Sequence, residues 1–286
     1  MARTRHVLFL VTILATIGPW AGRAMAQGDQ PAQPENPVAV EPTVEQAANL
    51  PSAESLFERY VQEAGGLEAM RKLKNRKQEG IMTTQPVRTK SFFTVWFVNP
   101  NKLFARIERP GEPITEIVYD GQIGWRRFGN DYIPITGDDL VRLKEGADFL
   151  GEANYKQRYT SLKTVQKIPD FGGTPVYAVR VKSVNDKAYM VFFDADTGIL
   201  RGVETTVGEG NRRRLLQAEV RDFKRVGGVL YPMTTIRRTL VTKDQITEER
   251  VAFDTIEVNV DDVPSFERPA SLVETNENAP GESGGG

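Results

Sequence analysis

Across residues 91–258 the chain keeps returning to short segments in which side chains alternate with a period of two, and this limits the fold more than any other feature. That period sends successive side chains to opposite faces of a strand. The segments are residues 91–98, 103–108, 114–120, 176–182, 188–194, 200–207, 214–223, 233–241 and 246–258. They are separated by Asn99-Pro100-Asn101, Asp120-Gly121, Asn185-Asp186, Asp196-Thr197-Gly198, Gly208-Glu209-Gly210 and Gly227-Gly228, all residues suited to turns. Short strands in series with tight connections predict an antiparallel meander.

Helical spacing occurs in three places. Leu56, Phe57, Tyr60, Val61 and Ala64 share one helix face after Ser52, which can cap the free amides of the first turn. Gly65-Gly66 ends that helix, and a second short one carries Leu67, Met70 and Leu73. Residues 136–150 place Leu140, Leu143, Ala147 and Leu150 on one stripe, with Thr136 and Asp139 spaced as a capping box and Gly151 as the stop. The class is therefore α+β, with an amphipathic helix dividing two blocks of strands.

One face of the strands is consistently apolar. Phe93, Val95 and Phe97 continue into Leu103, Ala105 and Ile107, whereas Arg106 and Glu108 mark the other side. In the first of these strands the other side, Phe92, Trp96 and Val98, is nearly as apolar. The ordinary outcome is a core covered by helices. An apolar surface larger than the helices can cover would leave a cavity for a greasy ligand.

Composition narrows the chemistry. The 286 residues include no cysteine and a single histidine, His6. Residues 1–26 combine Arg3 and Arg5, an apolar run over residues 7–17 and Ala24-Met25-Ala26. This is the pattern of a cleaved export signal, its apolar run shorter than the roughly 20 residues that span a bilayer. No cysteine follows the cleavage site to carry a lipid. Cleavage there removes His6, and with it any Ser-His-Asp or Cys-His triad and any His-ligated zinc. Only carboxylate pairs, Lys, Tyr or Ser-Lys chemistry remain, and the chain is expected to be a non-enzyme without cofactor or metal. With 37 basic against 38 acidic residues it lacks the basic excess of a nucleic-acid binder. Residues 27–50, with Pro31, Pro34, Pro37 and Pro42, read as a linker. Residues 51–270 read as one domain, and residues 271–286 as an acidic, Gly-rich disordered tail.

Other motifs lead to ordinary structure. Asp194-x-Asp196-x-Gly198 begins like a calcium loop, but its twelfth position is Thr205 where a bidentate Glu is required. Asp138-Asp139 complement a helix N-terminus. Arg212-Arg213-Arg214 and Arg126-Arg127 read as exposed strand ends, the latter able to face lipid headgroups or an acidic partner.

The stretch Val98-Asn99-Pro100-Asn101-Lys102-Leu103-Phe104, followed by Tyr119-Asp120-Gly121-Gln122-Ile123-Gly124-Trp125, resembles the LolA/LolB-type lipoprotein carrier family. Phe193-Asp194-Ala195-Asp196-Thr197-Gly198-Ile199-Leu200 and Val260-Asp261-Asp262-Val263-Pro264-Ser265-Phe266 are similar to its later strand–turn–strand and its closing segment. The resemblance spans about residues 54–269. It implies an incomplete, strongly curved antiparallel half-barrel whose concave face is covered by helices. It further implies a periplasmic monomer that holds acyl chains of a lipoprotein or lipid, hands them between inner- and outer-membrane transport proteins, and makes or breaks no bond. On that reading Phe93, Val95, Phe97, Leu103, Ala105, Ile107 and Trp125 line the cavity, and Leu140, Leu143, Ala147 and Leu150 form the lid. Asn99 stands where the family has a basic latch residue before the Pro-Asn turn. A protein-interaction or envelope-sensing module on the same fold is the alternative.

Overall fold

The structure is a computed structural model that describes residues 50–207, 214–242 and 245–272. The expected signal, most of the linker, the tail beyond Leu272 and the Gly208–Arg213 turn lie outside the described residues.

Two helices open the fold, α1 (Ala53–Glu63) and α2 (Leu67–Arg71). Ser52 caps α1 as expected, its hydroxyl accepting from the Ser55 amide at 3.1 Å. Six strands follow: β1 (Asn75–Gln85), β2 (Thr89–Val98), β3 (Lys102–Glu108), β4 (Thr115–Tyr119), β5 (Gly124–Phe128) and β6 (Asp131–Ile135). A bridge comes next, formed by α3 (Gly137–Gly146), a 3-10 turn (Gly151–Asn154) and α4 (Tyr155–Arg158). The last seven strands are β7 (Tyr159–Phe171), β8 (Thr174–Ser183), β9 (Ala188–Asp194), β10 (Leu200–Val207), β11 (Arg214–Val226), β12 (Val229–Thr242) and β13 (Gln245–Val258).

All 13 strands form one antiparallel sheet in the order β6-β5-β4-β3-β2-β1-β13-β12-β11-β10-β9-β8-β7. Each block is a meander, and the first strand of one pairs with the last strand of the other, Met82 opposite Val251. The edges are thus β6 and β7, consecutive in the chain. A flat sheet of this width would separate them by roughly 60 Å at ~4.8 Å per strand. The bridge, mostly helical, reaches about 45 Å at most. The sheet therefore curves, and it stays open rather than closing into a barrel.

The expected alternation sets which face is buried. Phe93, Val95, Phe97, Leu103, Ala105 and Ile107 are buried with Leu143, Ala147 and Leu150 of the bridge, whereas Phe92 on the other face is 58% exposed. This is the first of two apolar clusters on the inner face. The second lies under α1 and α4, where Phe57 stacks on Tyr155 at 4.8 Å and meets Phe193 edge-on. Tyr60 touches both clusters.

Details of the bridge differ from expectation. Thr136 makes no side-chain cap, and Asp139 pairs with Arg142, so no capping box forms. The helix ends at Gly146 rather than at Gly151, which starts the 3-10 turn. The α1–α2 corner is clamped to the β11–β12 hairpin: the Leu230 amide donates to the Ala64 carbonyl at 2.9 Å, and Arg225 donates to the Glu63 and Gly228 carbonyls. Gly65 has a φ of +116°, and a Cβ there would lie 2.2 Å from the Gly228 carbonyl oxygen. Only glycine fits that corner.

Candidate functional site

Between the two clusters, beneath α1 and α2, lies a cavity of about 80 Å³. Most of its wall is apolar, from Ala64, Met70 and Leu73 of the helical corner, Phe149 and Leu150 of the bridge, and Val220, Val229 and Tyr231 of the sheet. Ile199, Phe223, Leu230 and Pro232 form a partly exposed rim. The polar exceptions are Arg76 and Gln78, both on β1 and both buried. Alternation along β1 puts Arg76, Gln78 and Met82 on the inner face, and an extra residue in β13, Asp254, shifts the register between Glu79 and Gly80 so that Phe253 and Ile256 both reach that face.

Aromatic rings hold Arg76. Its guanidinium carbon lies 4.3 Å from the Phe97 ring centre, 4.7 Å from Tyr231 and 5.9 Å from Phe149. Burial presses the guanidinium pKa down, and the Tyr231 and Tyr60 phenols pull it back up. Burial also raises the pKa of both phenols, so they stay neutral at pH 7.

A second buried polar group lies near Tyr60 without lining the cavity. Glu152, in the 3-10 turn, is fully buried, accepts from the Tyr159 hydroxyl at 3.1 Å, and has its pKa pushed up to about 8 by burial against the pull of Arg158. Its Oε2 has no hydrogen-bond partner among the described residues. Glu145 of α3 accepts from Tyr189 at 2.5 Å, Asn185 at 2.7 Å and Ser183 at 3.1 Å, fixing the bridge to the β8–β9 hairpin. The bridge is thus held by apolar packing on one side and buried hydrogen bonds on the other.

The residues expected to line a cavity are placed differently. Phe93, Val95, Phe97, Leu103, Ala105 and Ile107 pack against the bridge and do not border the open space, and of the expected lid only Leu150 does. Leu143 and Ala147 are fully buried, and Leu140 is half-buried against the same cluster. Trp125 is a correction: it lies on the opposite face of the sheet with Val118, which it pairs across the strands, and with Leu272. One residue of register separates it from Gly124, whose side packs on Leu143. A strap after β13 covers this outer cluster, with Phe266 edge-on to Phe104 and Arg268 bonded to Asp120 at 2.6 Å. Leu272, placed by the sequence in the disordered tail, is buried in that cluster.

The remaining motifs are structural. The Asp194 carboxylate is taken up by the Asp196 and Thr197 amides and by Arg201. Arg127 pairs with Glu116 at 2.6 Å, and Asp138 with Lys187 at 2.9 Å. The Asn99 side chain donates to the Leu73 carbonyl at 2.9 Å, tying the turn to the helical corner. Among the described residues no cluster of three or more His, Cys, Asp or Glu side chains could hold a metal ion, and no helix is long and apolar enough to cross a membrane.

No family model and no curated protein matches this sequence. Solved structures do. A LolA superfamily protein from Nitrosomonas europaea superposes with a TM-score of 0.51 at 13% identity, covering 75% of this chain and 96% of that one. The fold is LolA-like. A DUF1329 family protein from Desulfovibrio piger superposes with a TM-score of 0.53 at 12% identity, over 76% of this chain and 97% of its own. The complex of MucA with MucB from Pseudomonas aeruginosa aligns over 73% of this chain with a TM-score of 0.22, too low to argue from. At these identities the LolA-like superpositions establish architecture alone.

The polar cavity residues are not marked in the sequence. β1 opens Asn75-Arg76-Lys77-Gln78-Glu79, with no apolar face to reveal that Arg76 and Gln78 point inward. The helical part of the wall is legible: Tyr60 and Ala64 on the α1 stripe, Met70 and Leu73 after it, and Leu150 of the bridge stripe are all marked as inward-facing.

Proposed function

We propose that this chain is an exported, periplasmic binding or carrier protein that holds an acyl chain of a lipid or lipoprotein on the inner face of its curved sheet, without chemistry on the cargo. The observation that carries this reading is the mainly apolar cavity between two apolar clusters, walled by the helical corner and the bridge of a LolA-like fold. Burial of methylenes would supply about 0.8 kcal/mol each, on the order of 10 kcal/mol for a 16-carbon chain before ordering costs.

At about 80 Å³ the cavity is well below the ~300 Å³ of a small ligand pocket. Cargo therefore enters by displacement of a covering element. The bridge is the element to move, because its Phe149 and Leu150 wall the cavity, and its lifting breaks the Leu143 and Ala147 packing. Capture is lid displacement, and release is handover to a membrane partner.

The test is native mass spectrometry of the protein purified from its exporting host, together with titration of a fluorescent fatty acid. Lipid carried through purification, and probe binding weakened at least tenfold in folded Leu143→Asp protein, are the expected results. A protein that binds no probe and carries no lipid is not an acyl carrier, and the protein-interaction or sensing reading would replace this one.

A further inference from the structure

We infer that the cavity receives a fatty acid head-first, its carboxylate against Arg76 and Gln78 and its chain running outward past Phe223, Leu230 and Pro232. This rests on the acyl-binding reading and narrows it to a free fatty acid in one orientation.

The polarity of the wall carries the argument. Arg76 and Gln78 are 3% and 1% exposed, whereas Ile199, Phe223, Leu230 and Pro232 of the same wall are partly exposed. A chain inserted tail-first would press methylenes against a buried guanidinium and a buried amide oxygen that has no hydrogen-bond partner among the described residues. A head-first chain meets matching chemistry at both ends.

The deep end suits a carboxylate. The Phe97 and Tyr231 rings fix the Arg76 guanidinium from distances of 4.3 and 4.7 Å, which presets the planar fork that binds a carboxylate through two parallel hydrogen bonds. The Gln78 Oε1 is buried with no hydrogen-bond partner among the described residues. An amide turned over in this position offers its NH₂ to the same carboxylate, since the two orientations have nearly the same shape. The neutral phenols of Tyr60 and Tyr231 border the space as further donors. The volume of about 80 Å³ accommodates a planar head and its first methylenes, given ~30 Å³ for a water-sized group. The rest of the chain must follow the rim as the covering elements part.

The experiment uses the full exported protein with two probes of equal length, dodecanoate and dodecanol, titrated calorimetrically. Dodecanoate is expected to bind at least tenfold more tightly. Arg76→Gln should abolish that preference, so that dodecanoate binds no more tightly than dodecanol. Because Arg76→Gln could unfold the domain, the wild-type protein is also loaded with dodecanoate carrying ¹³C in the carboxyl group. Beside Arg76, that carbon stays in its ionised position as the pH falls through about 4.5, where a solvent-exposed carboxyl titrates. If both probes bind equally and the carbon titrates as in water, the acyl reading stands and the head-first orientation is refuted. If neither probe binds, the acyl reading itself falls.

Discussion

Substituting Leu143 and Gly124 by alanine, singly and together, measures how the bridge is held to the sheet. Leu143 is fully buried on α3. A Cβ added to Gly124 of β5 would lie 2.6 Å from Leu143 Cδ2, with Leu140 Cδ1 at 3.3 Å and Ile135 Cβ at 3.5 Å. Leu143→Ala removes three buried carbons and leaves a void, at a cost of about 3–5 kcal/mol. For a domain of this size that lowers the melting temperature by about 10 °C, at ~2–4 °C per kcal/mol. Gly124 has no positive φ, so Gly124→Ala adds only a methyl that collides with Leu143. Overpacking of this kind costs about 1–3 kcal/mol. In the double variant the new methyl occupies space that Leu143 vacated, so the two costs do not add, and a coupling of about 1–3 kcal/mol is expected. Urea unfolding followed by circular dichroism gives all three values. Additivity within about 0.5 kcal/mol would show that α3 does not rest on Gly124, and the mechanical coupling of bridge to sheet would be withdrawn.

Other consequences are independent of that cycle. Glu152 has its pKa raised by burial to about 8, so the native state holds a proton that the unfolded chain releases near 4.5. Its contribution is fully present below pH 4.5 and is lost as pH rises through 8, so stability should fall across that window by several kcal/mol. Glu152→Gln should flatten the slope, and an unchanged slope would place the titrating group elsewhere. Arg237 and Glu249 face each other across β12 and β13 as a buried ion pair, the Arg237 pKa being lowered to about 9 by burial. Arg237→Met alone should cost about 3–5 kcal/mol, and Arg237→Met with Glu249→Leu should recover most of it, as chemical denaturation will show. A double variant as unstable as the single would mean that the pair, and not merely charge balance, is needed. Gly65→Ala combines a φ of +116° with a 2.2 Å approach to Gly228 and should cost about 2–4 kcal/mol. A loss below about 1 kcal/mol would show that the helical corner is not clamped to the hairpin.

Local chemistry alone determined a good part of this protein. Turn residues delimit β9 and β10 at the observed bounds, the Ser52 cap starts α1, and alternation selects Phe93, Val95 and Phe97 over Phe92 as the buried face. Each is a matter of neighbours in sequence, where backbone preference and side-chain period act directly. β7 is hidden because its register shifts between Thr164 and Gln166, so that Leu162 faces one cluster and Val165 and Ile168 another, and no period of two appears in the sequence. Trp125 was assigned to the wrong face because β5 is too short, at five residues, for alternation to fix its register without its partner β4. Tertiary structure decided the pairing of β1 with β13 and the cavity itself. It also decided that Arg76, Gln78 and Glu152 lie inside. Burial of Arg76 and Glu152 depends on rings and phenols delivered by β2, β12, β7 and the bridge from distant parts of the chain. A polar residue in isolation prefers water, and only that assembled surround outweighs the preference.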